Sequence, residues 1–141
     1  MRIIKFRGKD IETGEWVYGD LHVLCNRPHI HTGQTAYPYA GKRSFVALET
    51  IGQFTGLTDK NGKEIYEGDI VRHPWKDPIF GDLVETGQFV HSTICFNNGA
   101  FVVNYRLQGE YIYLQDFVRL KCLEVVGNIH DNPELLKGGE R

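Results

Sequence analysis

Asn-Gly stands twice between apolar runs, at Asn61-Gly62 and Asn98-Gly99, and this dipeptide constrains the fold more than any other feature of the chain. Both residues tolerate the positive φ of a type I′ turn, so the flanking runs are predicted to fold back as β-hairpins. A two-residue turn at Asn98-Gly99 sets Phe96 opposite Phe101 and Ile94 opposite Val103 on one buried face, leaving His91, Thr93 and Cys95 on the other. Around the first dipeptide, Thr50 to Val71 reads as two apolar runs joined by Lys60-Asn61-Gly62 and followed by a second turn at Glu67-Gly68-Asp69.

The rest of the chain extends this reading. Met1 to Arg7 and Glu15 to Leu24 are predicted strands joined through Asp10-Ile-Glu-Thr-Gly14, with a bulge or bend at Gly19-Asp20. The segment Asp10 to Leu21 repeats the chemistry of Asp59 to Ile70: a Gly turn, a strand ending in Tyr18 or Tyr66, then Gly-Asp. Two similar turn-strand-turn devices are the first reading of this likeness and a true duplication the second. Residues 26–42 show no periodicity and read as a long loop, a loop at 73–78 precedes the second hairpin, and Tyr111–Leu114 and Leu120–Val126 read as further strands. Asn132-Pro-Glu-Leu-Leu-Lys137 carries an N-cap residue and Pro at the first helical position, which predicts a short terminal helix.

The expected fold is therefore mainly β: short, twisted antiparallel strands forming one or two small SH3-like barrels, with a short C-terminal helix. A soft boundary separates an N-terminal β subdomain at 1–57, bearing loop 26–42, from a C-terminal barrel at 58–141 that ends in the helix. An apolar content of 41% supports a folded chain. The net charge of −2 excludes a simple polycationic nucleic-acid binder. Three cysteines, Cys25, Cys95 and Cys122, make a poor disulfide framework. With no apolar run long enough to span a bilayer and no signal-peptide pattern, the expectation is a cytoplasmic protein with no membrane partner.

The quoted segments Ile4-Lys-Phe-Arg7, Trp16-Val-Tyr-Gly-Asp20, Phe54 to Val71 and Glu124 to Leu136 together resemble the YopX family of bacteriophage and prophage proteins. The resemblance covers both ends and the middle of the chain in the family's order. It implies a phage origin, and hence a bacterial host cell, with a largely β structure. It supplies no reaction and no catalytic residues.

Candidate chemistry is sparse. His22, Cys25, His29 and His31 hold enough ligand types for zinc, but their spacing is not a recognised finger pattern, and they read first as solvent-facing or locally hydrogen-bonded histidines and only second as a metal site. Asp20 and Asp69, with Glu67 nearby, read as turn-fixing carboxylates before they read as a magnesium or acid–base pair. Cys95 and Cys122 lie in apolar runs and are expected to pack as small hydrophobes. Lys5 and Arg7, with Arg2, Lys9, Lys42 and Arg43, form a basic N-terminal element that reads first as protection of an exposed sheet edge. Interleaved with Trp16, Tyr37 and Tyr39, it reads second as a single-strand nucleic-acid contact. There is no phosphate-binding Gly loop and no Gly-x-Ser-x-Gly elbow.

These readings give a non-enzymatic accessory protein that binds an unknown protein partner through Tyr37, Tyr39 and Trp75, with no catalytic residue and no cofactor. The alternatives are a nucleic-acid-binding module using Lys5 and Arg7, and a metal-dependent hydrolase around the His/Cys loop. Self-association into a homo-oligomer through exposed β edges is a further expectation.

Overall fold

A computed structural model describes residues 1–32, 42–74, 89–105, 110–119 and 121–137. The chain divides into two compact units, Met1–Gly56 and Leu57–Arg141. The first holds β1 (Phe6–Lys9), β2 (Trp16–Leu24), β3 (Arg27–Thr32), β4 (Lys42–Phe45) and a 3-10 turn at Leu48–Thr50; β5 (Gly52–Thr58) carries the chain into the second. There follow β6 (Glu64–Tyr66), β7 (Asp69–Pro74), β8 (Phe89–Asn97), β9 (Ala100–Tyr105), β10 (Glu110–Tyr113), α1 (Leu114–Arg119), β11 (Glu124–Asn128) and a 3-10 turn at Pro133–Leu136.

The strands form two sheets, ordered β4-β3-β2-β1-β5-β6 and β10-β9-β8-β7-β11. The chain is thus mainly β with one small helix. Among the described residues neither sheet closes on itself, so the expected SH3-like barrels are replaced by open sheets. β10 and β11 lie at opposite ends of the second sheet instead of pairing.

In the first unit β2 runs unbroken for nine residues, and Gly19 marks a change of partner where a bulge was expected. Residues 16–19 pair with β1 and residues 20–24 pair with β3. At the changeover the His31 carbonyl approaches so closely that a Cβ on residue 19 would collide with it. The strand β3 corrects the long-loop expectation over Arg27–Thr32, while residues 33–41 of that expected loop lie outside the described residues. Cys25 and Asn26, with φ of 51° and 60°, form a two-residue turn that brings Arg27 opposite Leu24.

The two Asp-Gly devices are alike in mechanism. Asp10 Oδ1 accepts the Glu12 and Thr13 amides at 2.8 and 3.1 Å, and Gly14 closes the turn at φ 72°. Asp59 is buried and does more: Oδ1 accepts the Asn61 and Lys63 amides at 2.8 and 2.9 Å, and Oδ2 accepts the Val125 amide at 2.9 Å. Only Gly62 of this turn has positive φ, so the expected type I′ turn gives way to an Asp-anchored one. The likeness ends at the second Gly-Asp. The extra residue Glu67 lets Gly68 turn at φ 87°, and buried Asp69 accepts the Tyr66 amide at 2.8 Å. Asp20, by contrast, is exposed inside continuous β2.

The core of the second unit gathers Ile65, Val71, Ile94, Val103, Leu114, Phe117, Leu123 and Val125. The register of β8 and β9 is the one predicted, Phe96 against Phe101 and Ile94 against Val103, around Asn98 and Gly99 in positive φ. Ile94 and Val103 are buried, whereas Phe96, beside the turn, is 55% exposed and lies beyond the core it was expected to join. β7 continues as strand through His73 and Pro74, where a loop was expected. The helix α1 replaces part of an expected strand: Leu114 and Phe117, three apart on one helical face, are both buried. The terminal turn starts at Pro133 as predicted. Asn132 makes no side-chain cap, however; its Oδ1 accepts the Asn128 amide at 3.2 Å.

Candidate binding face

Directly opposed residues of an antiparallel pair project to the same side. Applied to the first sheet, this rule assembles one face from residues scattered over the sequence. Arg7 lies opposite Tyr18 and Lys9 opposite Trp16. Asp20 faces His31, His22 faces His29 and Leu24 closes against Arg27. On β4, Arg43 meets His31 and Phe45 meets His29.

Cations on this face sit over rings. Arg7 and Lys9 lie 4.7 and 5.5 Å from the Trp16 ring, and Lys5 lies 5.0 Å from Phe54. Arg27 lies 4.3 Å from Phe45. Such contacts contribute roughly 0.5–1 kcal/mol each at exposed sites and hold both partners in defined positions. The face divides into a covered part and an open part. Arg7 and Phe54 are buried, while Tyr18, His22, Leu24, Arg27, Arg43 and Phe45 are exposed. The strand β1 is interior, paired to both β2 and β5, so Lys5, Arg7 and Lys9 do not guard a sheet edge. The edge reading fails because the partner order of strands is not encoded in the charge pattern of one of them.

Three of the four sequence-predicted zinc ligands meet on this face. His22 stacks on His29 with centroids 5.4 Å apart and meets His31 edge-on at 6.1 Å. Cys25 does not join them: it occupies the exposed hairpin turn. His29 is only 6% exposed. Its pKa is lowered, first by burial and then by the neighbouring charges of His22 and Arg43, while a backbone hydrogen bond to Arg27 opposes the shift. The His29 Nδ1 and His31 Nε2 atoms are buried and meet no hydrogen-bond partner. Among the described residues no group of three or more His, Cys, Asp and Glu side chains is placed to hold a metal ion, and the His22 and His29 rings lie stacked in parallel.

Tyr37, Tyr39 and Trp75, the predicted partner-contacting aromatics, lie outside the described residues. The exposed hairpin tip was not anticipated, because neither Cys25 nor Asn26 belongs to a Gly-containing turn signal. Val23 and Leu24, on opposite faces of that tip, are 64% and 57% exposed.

Among the described residues of the second unit, one pair imitates catalytic machinery. His73 Nε2 lies 2.8 Å from Ser92 Oγ, but Nδ1 is held by the Pro74 carbonyl at 2.8 Å and not by a carboxylate. Ser92 and His73 are 1% and 0% exposed, so no substrate reaches the hydroxyl. Burial pushes the His73 pKa down to about 4, against the Pro74 hydrogen bond, and the pair reads as a core polar bridge. Burial also raises the thiol pKa of Cys95 and of Cys122. No helix among the described residues is long and apolar enough to cross a membrane.

Two open antiparallel sheets, a cation–aromatic–histidine face and no accessible nucleophile–base–acid arrangement among the described residues define a small β protein whose distinctive surface is a face and not a cleft. A family model described as YopX protein matches residues 5–137, and the chain belongs to the YopX family. The fold is shared with protein EF1440 from Enterococcus faecalis at a TM-score of 0.57 and 24% identity, covering 97% of this chain and 100% of that one. It is likewise shared with yopX from Bacillus subtilis at a TM-score of 0.59 and 21% identity, covering 98% of each. No curated protein matches the chain.

Proposed function

We propose that this chain is a non-enzymatic phage or prophage accessory protein that binds another protein through the β2–β3 hairpin and the sheet face it extends. The observation that carries the reading is the open part of that face. Tyr18, Leu24 and Phe45 are 46%, 57% and 36% exposed, and Arg27 and Arg43 stand among them. Tyr, Phe and Arg are the side chains enriched at interface centres, where a few desolvated anchors carry most of the affinity. The apolar tip residue Val23 extends the surface around the hairpin.

The test is cross-linked capture from cells carrying the parent phage, using wild type, Leu24→Ala/Phe45→Ala and, as a control in the second unit, Phe96→Ala. Loss of two anchors is expected to weaken capture at least tenfold, since one hot spot contributes about 2 kcal/mol or more. Equal capture by the double variant would refute the assignment.

A second reading, nucleic-acid binding, draws on Lys9 and Arg7 over Trp16 and on Arg27 over Phe45. It predicts salt-dependent binding of a single-stranded oligonucleotide that weakens when Lys5 and Arg7 are replaced together. Absence of any shift at low salt disposes of it. The hydrolase reading finds no general base and nucleophile beside the histidines among the described residues.

A further inference from the structure

We propose that the partner meets the open part of this face with an acidic segment, rich in Asp and Glu, whose carboxylates dock on Arg27 and Arg43. The proposal rests on the protein-binding reading and adds the chemistry of the partner. Across β1–β4 the ladders place Arg7, Lys9, Arg27 and Arg43 on one side, and Lys5 joins them over the Phe54 ring. The same positions hold one carboxylate, Asp20. The whole chain carries a net charge of −2, so positive charge is gathered here against the overall balance. The segment 33–41, which joins β3 to β4, contains no Asp or Glu.

Internal pairing leaves this charge open. Among the described residues no carboxylate is ion-paired with Arg27 or Arg43, and both residues are exposed. Asp20 and Arg43 stand on either side of His31, two strand spacings or about 10 Å apart. Asp10 is engaged by the Glu12 and Thr13 amides of its own turn. The positive field reaches His29, whose pKa is lowered first by burial and then by His22 and Arg43. The Arg27 guanidinium carbon lies 4.3 Å from the Phe45 ring centroid. A guanidinium held on a ring still offers its N–H edge to a carboxylate as a bidentate pair. Leu24, directly opposite Arg27, and Phe45 add apolar contact beside the cations, which suits the side chains of a protein segment. A single-stranded nucleic acid fits less well, because its bases need bare rings to stack on. The Trp16 ring already carries Arg7 and Lys9, and the Phe45 ring carries Arg27.

The experiment is fluorescence anisotropy of the full-length protein with a labelled synthetic peptide of mixed Glu and Leu, its Gln-for-Glu counterpart and labelled oligothymidylate. The Glu peptide is expected to bind, less tightly as salt is raised, and the Gln peptide at least tenfold more weakly. Arg27→Glu/Arg43→Glu, at two exposed positions that carry little folding risk, should weaken the Glu peptide at least tenfold. Lys63→Glu/Lys121→Glu, exposed in the second unit, changes the net charge equally and should leave binding nearly unchanged. No binding of the Glu peptide by folded wild type at low salt would overturn the proposal. So would equal losses in the two charge-reversal variants, or tighter binding of oligothymidylate than of the Glu peptide. The capture assay separates this proposal from the reading beneath it. Capture lost in Leu24→Ala/Phe45→Ala but kept in Arg27→Glu/Arg43→Glu removes the acidic partner and leaves the protein interface. Capture indifferent to both variants removes the interface itself.

Discussion

The Ser92 hydroxyl donates to His73 Nε2 across β8 and β7, and the direction of that bond is fixed from the far side of the ring. The Pro74 carbonyl can only accept, so Nδ1 carries a proton. Burial, which pushes the pKa down to about 4, keeps the imidazole neutral near pH 7, so Nε2 offers its lone pair to Ser92.

Stability should consequently fall in mild acid. The folded pKa of about 4 lies below the ordinary 6.5, so the unfolded chain binds the proton first. The loss begins as pH drops through about 6.5, continues at about 1.4 kcal/mol per unit and ends near pH 4, an upper bound of about 3–4 kcal/mol. Chemical denaturation of wild type and His73→Asn between pH 4 and 7.5 reads this as a difference. Parallel profiles would refute it.

Asp59 should be the more demanding of the two turn carboxylates. Asp59→Ala leaves three backbone amides without their acceptor and is expected to cost about 1–3 kcal/mol, since the residue is buried. Asp10→Ala releases two amides near solvent and should lower the melting temperature less. Equal melting shifts would show that the bond to Val125 contributes nothing.

Gly19→Ala should disrupt the first unit. The new methyl meets the His31 carbonyl at the point where β2 changes partner, and forced overpacking costs about 1–3 kcal/mol. Gly14, where an added Cβ meets nothing but φ is 72°, shows the cost of left-handed backbone alone, which the collision at Gly19 should exceed. Amide exchange across β2 and β3 would locate the damage; unchanged protection there would count against the close approach.

The β8–β9 hairpin supplies a test of burial at fixed register. Ile94→Ala should cost about 2–5 kcal/mol and Phe96→Ala only about 0.5–1.5 kcal/mol, because Ile94 is 2% exposed and Phe96 55%. Denaturant unfolding of both variants measures the contrast.

How far the sequence discloses this molecule depends on whether the determining contact is local. Asn98-Gly99 specifies its own turn and hence the pairing of Phe96 with Phe101. The Cys25-Asn26 turn carries no such signal, so β3 hid within an apparent loop. The six-residue α1 hid among β-forming neighbours, because two apolar residues three apart say little in isolation. Among the site residues, His22, His29 and His31 were legible as a ligand set. Their meeting on one face, and the place of Cys25 in the turn, depend on the register of β2 against β3. The interior position of β1 follows from its pairing with β5, which no local pattern announces.

That split within β2 also orders the assembly of the first sheet in time. Its distal half meets β3 through a two-residue turn, a closure that takes about 1–10 μs. The partner strand of its proximal half, β1, is completed only when Arg7 finds Gly52 across the whole unit, a slower search through a long loop. Pulse-labelled exchange should therefore find the amides of β3 protected before those linking β1 to β5, so that the hairpin arm is built before the sheet that carries it.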